Sequence, residues 1–591
     1  TQFMIRKVLV ANRGEIARRV FATCRRLGIG TVAVYTDPDA AAPHVAEADD
    51  RVRLEGRTGY LDAAQLIAAA KASGADAIHP GYGFLSENPD FAAAVQDAGL
   101  TWIGPPVKAV QAMGSKIEAK KLMSAAGVPV LTELDPETVT ADQLPVLIKA
   151  SAGGGGRGMR VVRELSALPA EVAAAQREAQ SAFGDPTVFC ERYLASGHHI
   201  EVQVMADAHG TVWAVGEREC SIQRRHQKVI EEAPSPLVER TPGMRAKLFD
   251  AARLAATAIG YTGAGTVEFL AADDGEFYFL EMNTRLQVEH PVTEATTGLD
   301  LVELQLHVAA GLPLDAEPPA AQGHSIEARI YAEDPAKGWQ PQAGMVEHFH
   351  IPLAHTAFES SGRAGIRLDS GIVSGSEVSI HYDPMLAKVI SHAPSRGQAA
   401  ALLADALTRT RLHGIPTNRD LLVNVLRHPA FLRGDTDTAF FDTHGLGALS
   451  TPLAAPSAVP VERRRSRSER RAWQRLPVRV AVRQQVKGNQ SVLLAQSSDL
   501  GLGGMRLWRR SSEKEPELVA HTEVELAFEL PGSSDLLTVR GEVIFDEARG
   551  EGGVLRATGV RFCELSEHEQ ARLREFLTRP RPDASAPGDE P

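Results

Sequence analysis

Glu281-Met-Asn-Thr-Arg-Leu-Gln-Val-Glu289 is the stretch on which the reading of this chain turns. Its odd positions hold Glu, Asn, Arg, Gln and Glu, and its even positions Met, Thr, Leu and Val. An extended segment sends alternate side chains to opposite faces, so the polar groups are expected in one row, about 6.6–7 Å apart. The carboxylate and carboxamide at one end are oxygen ligands suited to Mg²⁺. The guanidinium, amide and second carboxylate at the other end suit a small oxyanion and the removal of its proton. Glu268, on the preceding strand-like run, could pair across and supply another metal carboxylate. A strand with one solvated face is the plain alternative. Such faces usually carry Lys, Thr and Ser rather than two amides between acids.

Upstream lies Lys149-Ala-Ser-Ala-Gly-Gly-Gly-Gly-Arg-Gly-Met159. Consecutive glycines let backbone N–H groups approach phosphate oxygens and let a loop close as a lid. A P-loop would place its Lys after the last Gly; here the Lys ends the strand before the loop, so another kind of nucleotide clamp is implied, or else a plain flexible hairpin. Cys220-Ser-Ile-Gln-Arg-Arg-His-Gln-Lys228 gathers two arginines, a His and a Lys. It reads either as a site for an anionic substrate or as a solvated basic face. His198 and His199 are adjacent, and neighbours on a strand face opposite ways, so they are not expected to share a metal.

Working outward, Lys7–Ala11, Thr31–Tyr35 and Ala75–His79 read as strands separated by the helical stretches Gly14–Arg26 and Leu61–Ala72. This βαβα rhythm predicts a parallel, doubly wound sheet. No G-x-G-x-x-G follows the first strand, which disfavours a dinucleotide site. Residues from about 114 to 314 become mixed α+β, with strands expected at Pro145–Ile148, Thr187–Cys190, Ile200–Val204, Gly265–Leu270 and Glu276–Leu280. A third block covers about 323–443. An Ala/Pro/Ser-rich and then Arg/Ser-rich stretch follows and reads as a linker. Beyond it, strand-like runs at Val478–Val482, Ser491–Ala495, Glu523–Leu530, Leu537–Phe545 and Leu555–Phe562 precede a helix at Glu567–Leu577, predicting a small β-barrel capped by a helix. The tail from Pro580 has the composition of a disordered segment.

The 591 residues carry a formal charge of −12, which argues against a generic nucleic-acid coat. No run approaches the roughly 18 apolar residues of a membrane span. Four cysteines without a C-x-x-C pair fit a reducing cytoplasm.

At these motifs together the sequence resembles the biotin carboxylase family of ATP-grasp ligases, over about residues 4–445. Ala11-Asn-Arg-Gly-Glu-Ile16 and His79-Pro-Gly-Tyr-Gly-Phe-Leu-Ser-Glu-Asn88 add to the match, as does the extension of the polar row to His290-Pro291. The resemblance implies a Rossmann-like domain over 1–114, an ATP-grasp domain over 115–314, a biotin carboxylase C-terminal domain over 323–445 and a linker over 446–468. It implies that Lys116 and Lys149 contact ATP phosphates, with Gly155, Gly156 and Met159 in the covering loop. Glu191 and Leu194 would line the adenine pocket, with His199, Gln223 and His226 nearby. Glu268 and Glu281 would hold Mg²⁺ (or Mn²⁺), supported by Asn283. Lys228, Arg285, Gln287 and the backbone of Val288 would hold bicarbonate, with Glu289 as its base. Arg367 would stabilise the biotin enolate and Tyr82 would lie beside the biotin ring. The single departure is one extra residue in the Ala271–Gly275 turn between the metal strands.

No Met-Lys-Met biotinylation motif occurs. The expected partners are therefore a separate biotin carboxyl carrier protein and a carboxyltransferase subunit, in an acetyl- or acyl-CoA carboxylase, with the chain itself a homodimer. Residues 469–579 are similar to the PilZ family. Arg471 and Arg475 stand where that family forks arginines onto cyclic di-GMP, and Asp499 opens its second motif. Gly501 replaces the serine of that motif. Two other functions share parts of this pattern: a cyclic di-GMP-responsive adaptor on an ATP-grasp scaffold, and a different ATP-grasp ligase.

Overall fold

The computed structural model describes residues 4–153, 158–453, 481–486, 492–510, 518–530, 533, 535–549, 555–563 and 565–578. The N-terminal rhythm builds the expected parallel sheet, with Asp50–Arg53, Gly30–Tyr35, Lys7–Val10, Ala77–His79 and Thr101–Trp102 side by side in that order. The two outer strands were not expected. Asp50–Arg53 is mostly charged and exposed, and Thr101–Trp102 has only two residues, so neither carries an apolar run. Helix Gly14–Arg26 packs Ile16, Val20 and Phe21 against one face of this sheet.

The largest sheet has nine strands, in the order Phe277–Asn283, Gly263–Ala271, His198–Ala206, Val212–Arg224, Gln227–Ala233, His324–Tyr331, Met385–Ala393, Gly365–Ser370 and Ala354–Ala357. It runs across the boundary expected between 314 and 323, because Gln227–Ala233 pairs with His324–Tyr331. Two apolar cores lie along it, one around Val202, Val267 and Leu248, the other around Ile326, Val389 and Leu403. In the strands that carry the site, Val212–Arg224 and Gln227–Ala233, Ala214, Ile222, Val229 and Ile230 enter these cores.

A smaller antiparallel sheet, in the order Glu133–Leu134, Val188–Arg192, Val146–Ala150 and Arg160–Val162, carries the glycine-rich loop between its last two strands. Gly155 and Gly156 lie outside the described residues. Leu446–Leu449, at the start of the linker expected over 446–468, forms a helical turn whose Leu449 is buried and whose carbonyl accepts from Asn424 Nδ2 at 2.8 Å.

The C-terminal expectation of a barrel holds. Six antiparallel strands close as Ala481–Val486, Val492–Gly501, Gly504–Arg510, Leu555–Phe562, Leu536–Arg549 and Glu523–Glu529, followed by helix Glu567–Thr578. Closure removes exposed strand edges. Gly504–Arg510 was not expected as a strand; it forms a tight hairpin with its predecessor, Gly501 opposite Gly504. The barrel touches the N-terminal block, where the Arg25 guanidinium lies 5.9 Å from the centre of the Trp508 ring. Arg471, Arg475 and the tail from Pro580 fall outside the described residues. Among the described residues, no helix is long and apolar enough to cross a membrane.

Candidate active site

The polar row is not one strand. Phe277–Asn283 ends at Asn283, and Glu289 already caps helix His290–Thr297. Glu87 turns the chain: its Oε1 accepts from the backbone N–H of Thr284 at 3.0 Å, and its Oε2 from Arg285 Nε at 3.2 Å. The groups nevertheless converge on one cavity, with Leu286 buried away from it in the core. That cavity measures about 1150 Å³, and Glu281, Asn283, Arg285, Gln287, Val288 and Glu289 all line it.

At one end Glu268 stands directly opposite Glu281 across the hairpin. The strand bulges at Leu280, since Phe269 pairs with Phe279, and this keeps the two acids in register despite the longer turn. Burial and the facing Glu268 carboxylate push the Glu281 carboxyl upward. Lys116 Nζ lies 3.7 Å from Glu281 Oε2. Two facing carboxylates, one of them two residues from Asn283, fit a divalent cation.

Lys228 links this end to the other. Its Nζ lies 3.0 Å from Glu268 Oε1, 3.0 Å from Glu201 Oε2 and 2.7 Å from Glu289 Oε1. Burial opposes its charge, but the three carboxylates hold its pKa well above the usual lysine value. Burial likewise opposes ionisation of Glu289, yet Lys228 and Arg329 keep it well below the ordinary carboxylate range. Burial and the neighbouring Glu289 push Glu201 the other way, to about 7. Arg285 Nη1 donates to Gln287 Oε1 at 2.7 Å, and Gln287 Nε2 donates to Glu268 Oε1 at 3.0 Å. The result is a pocket of donors beside the ionised Glu289 carboxylate, suited to a small oxyanion.

The basic segment Cys220–Lys228 is a β-hairpin, Val212–Arg224 against Gln227–Ala233, with Arg225 and His226 at its tip. Both have positive φ (49° and 65°), a costly turn for non-glycine residues. Gln223 and His226 line the cavity, as do Lys149, Met159, Glu191 and Leu194. Glu191 pairs with Lys149 and, at 2.7 Å, with Lys120. The two histidines do face apart. His198 sits between Glu219 and Asp273, whereas His199 Nε2 lies 3.2 Å from Glu268 Oε2 and Nδ1 contacts Gln223 Nε2.

Arg367 is placed elsewhere. Its guanidinium is spent on Asp369, with two contacts of 2.9 Å, and on Glu294 at 2.9 Å, and it does not line the cavity. The arginine beside the candidate base is Arg329, with Nη2 3.0 Å from Glu289 Oε2. Tyr82 also lies off the cavity lining, and its hydroxyl donates to Glu15 Oε2 at 2.6 Å. Sequence reasoning missed Arg329, Glu201 and Arg218, which pairs with Glu201 at 2.6 Å. Alternation offered a signal for both Glu201 and Arg329: His199, Glu201 and Gln203 share one face of their strand, and Ser325, Glu327, Arg329 and Tyr331 alternate with the core residues Ile326, Ala328 and Ile330.

Comparison with known proteins agrees with this geometry. Residues 4–110 match the model for the biotin carboxylase N-terminal domain and 327–443 that for its C-terminal domain. Residues 108–317 match the ATP-binding domain of the carbamoyl-phosphate synthase L chain, and 469–579 the PilZ domain. A biotin carboxylase of Halalkalibacterium halodurans is 46% identical over 75% of this chain and 98% of its own length. The methylcrotonoyl-CoA carboxylase alpha subunit of Glycine max is 47% identical over 74% of this chain, which spans 61% of that relative. Among solved structures, the biotin carboxylase domain dimer of the Hydrogenobacter thermophilus 2-oxoglutarate carboxylase, in complex with MgADP, ADP and bicarbonate, superposes with a TM-score of 0.71 at 41% identity, covering 76% of this chain and all of that one. A Campylobacter jejuni biotin carboxylase gives 0.70 at 39% identity, covering 74% and 99%. Fold and cavity place the chain among the ATP-grasp ligases. Within that class it belongs to the biotin carboxylase family, and a PilZ domain follows the carboxylase part.

Proposed function

We propose that the chain carboxylates biotin on a separate carrier protein, using ATP and bicarbonate, as a subunit of an acyl-CoA carboxylase. The observation that carries this reading is the shared cavity: the Glu268–Glu281 pair at one end, the Lys228–Glu289 anion pocket at the other, and Lys116 and Lys149 on its wall. Glu268, Glu281 and Asn283 would hold Mg²⁺, which supplies charge neutralisation for the phosphates when bound. Lys116 and Lys149 bind ATP phosphates, with Met159 in the covering loop. Glu191, Leu194, His199, Gln223 and His226 surround the nucleotide. Arg285, Gln287, Lys228 and the backbone of Val288 hold bicarbonate.

Glu289 takes the proton of bicarbonate, whose freed oxygen attacks the γ-phosphorus of ATP; ADP leaves and carboxyphosphate forms. Positioning and fixed charge carry most of this step. Carboxyphosphate splits into CO2 and phosphate, a step that requires water to be kept from intercepting it. The phosphate accepts the biotin N–H proton, and the resulting enolate captures CO2. Arg329, rather than Arg367, stands in the cavity to stabilise that enolate. Partners on this reading are the biotin carboxyl carrier protein, a carboxyltransferase subunit and a second copy of the chain. The acyl-CoA is selected on the carboxyltransferase. The test is phosphate release from ATP with bicarbonate, with and without free biotin: release that biotin stimulates supports the reading, and release independent of both sinks it.

For the appended domain, a closed barrel with Asp499 at a hairpin end, its Oδ1 accepting from the Arg506 N–H at 3.1 Å, favours a ligand-binding role, with cyclic di-GMP as the ligand held by Arg471, Arg475 and Asp499. Titration calorimetry with cyclic di-GMP tests it; no heat at saturating nucleotide would refute it.

A further inference from the structure

Lys388, in the middle of strand Met385–Ala393, is wholly inaccessible to water. Its ammonium ion-pairs with Glu15 Oε1 at 2.8 Å and donates to the Val288 carbonyl at 2.7 Å. Removing a lysine from water is costly and is tolerated only with close partners. One of these partners is a backbone oxygen a hundred residues away, in the turn that ends with Glu289.

That turn has no ladder pairing of its own and is held by side chains, among them Glu87 on Thr284 and Arg285 and Gln287 on Glu268. It lies beyond the last ladder bond of Phe277–Asn283, and helix His290–Thr297 begins only after Glu289. The Gln287 carbonyl accepts from the His290 ring at 2.6 Å, and the Val288 carbonyl from Lys388. Glu15, the anchor of Lys388, belongs to helix Gly14–Arg26 of the N-terminal sheet layer, and its other oxygen holds the Tyr82 hydroxyl. Lys388 also stands directly opposite Arg329 on the neighbouring strand. The ammonium therefore ties the peptide carrying the candidate base to the first helix, and the backbone of Lys388 pairs with the arginine strand beside it.

We propose that Lys388 and Glu15 are positioning residues for the anion pocket, setting the Val288–Glu289 peptide against Lys228 and Arg329. Neither lines the cavity. Displacement of a reacting group by about an ångström costs on the order of 100-fold in rate, so the bond to the Val288 carbonyl is expected to matter for turnover as well as for folding. The inference rests on the reading of the cavity given above.

The test is steady-state kinetics of bicarbonate-dependent ATP cleavage in the full chain, with melting temperatures, for Lys388→Met, Glu15→Gln and the double variant Lys388→Met/Glu15→Gln. The double variant leaves no unpaired buried charge, so its melting temperature should recover toward wild type. Its kcat should stay on the order of 10- to 100-fold down with a raised KM for bicarbonate, while KM for ATP stays within about threefold. A double variant that is folded and has wild-type kcat and bicarbonate KM overturns the proposal. If both Lys388 variants fail to fold, Glu15→Gln alone decides: a bicarbonate KM raised by about threefold or more supports the role, and an unchanged one refutes it. Wild-type chain without bicarbonate-dependent cleavage would instead defeat the carboxylase reading itself.

Discussion

Arg329 and Glu289 face each other across the cavity wall, Nη2 to Oε2 at 3.0 Å, while Lys228 holds the other oxygen of the same carboxylate at 2.7 Å. Arg329 is pinned in turn by Glu231 behind it. A base clamped between two cations is ionised at neutral pH, and any anion entering the pocket meets both cations. Arg329→Met should lower kcat by about 10²–10³-fold, the usual cost of removing a donor aimed at developing negative charge. Arg367→Met removes a cation from buried Asp369 and Glu294, so its cost should appear in stability, at about 3–5 kcal/mol. Kinetics and denaturation of the two variants separate these outcomes; a folded Arg367 variant with a large kcat defect would reverse the assignment.

Glu289→Gln keeps the shape of the side chain and removes its basicity. Bicarbonate-dependent ATP cleavage should nearly vanish while nucleotide affinity, read by fluorescence titration, changes by no more than a few fold. Turnover near wild type would show that another group takes the proton.

The facing Glu268 and Glu281 carboxylates predict a metal-dependent stabilisation. Addition of Mg²⁺ with ADP should raise the melting temperature of the wild-type chain, and Glu281→Gln should shift the Mg²⁺ requirement upward by about tenfold or more. Equal Mg²⁺ titrations for both proteins would place the metal elsewhere.

His79 predicts an acid-sensitive loop. Its Nδ1 accepts the Gly81 N–H at 2.9 Å, so its Nε2–H donates to Gln305 Oε1 at 2.8 Å, and the ring is held neutral. Burial pushes its pKa down from 6.5 to about 4. Between those values the unfolded chain binds the extra proton, so stability falls as pH falls from about 6.5 toward 4. The loss approaches about 3 kcal/mol. His44, also buried and pushed down to about 4, adds a similar loss. Denaturant unfolding across this range should show the decline, and His79→Asn should reduce its slope.

Alternation and helical spacing were enough to read the parallel N-terminal sheet, the hairpin strands around Glu268 and Glu281, and the closed C-terminal barrel. These features follow from local periodicity, which each segment carries in itself. Short or charged strands such as Thr101–Trp102 and Asp50–Arg53 carry no such signal and form because neighbouring strands offer them ladder partners.

For the site, residue types and spacing determined which side chains were available: two acids and an amide for a cation, a guanidinium, an amide and an acid for an anion. Tertiary structure decided how they meet. Glu87, far off in the chain, ends the strand at Asn283 and turns the row into a pocket. Tertiary packing puts Arg329 beside Glu289 and Arg367 beside Glu294, whereas the Arg367–Asp369 pair is local, two residues apart on one strand. A charge's partner depends on where distant strands bring it, and no local pattern encodes that distance.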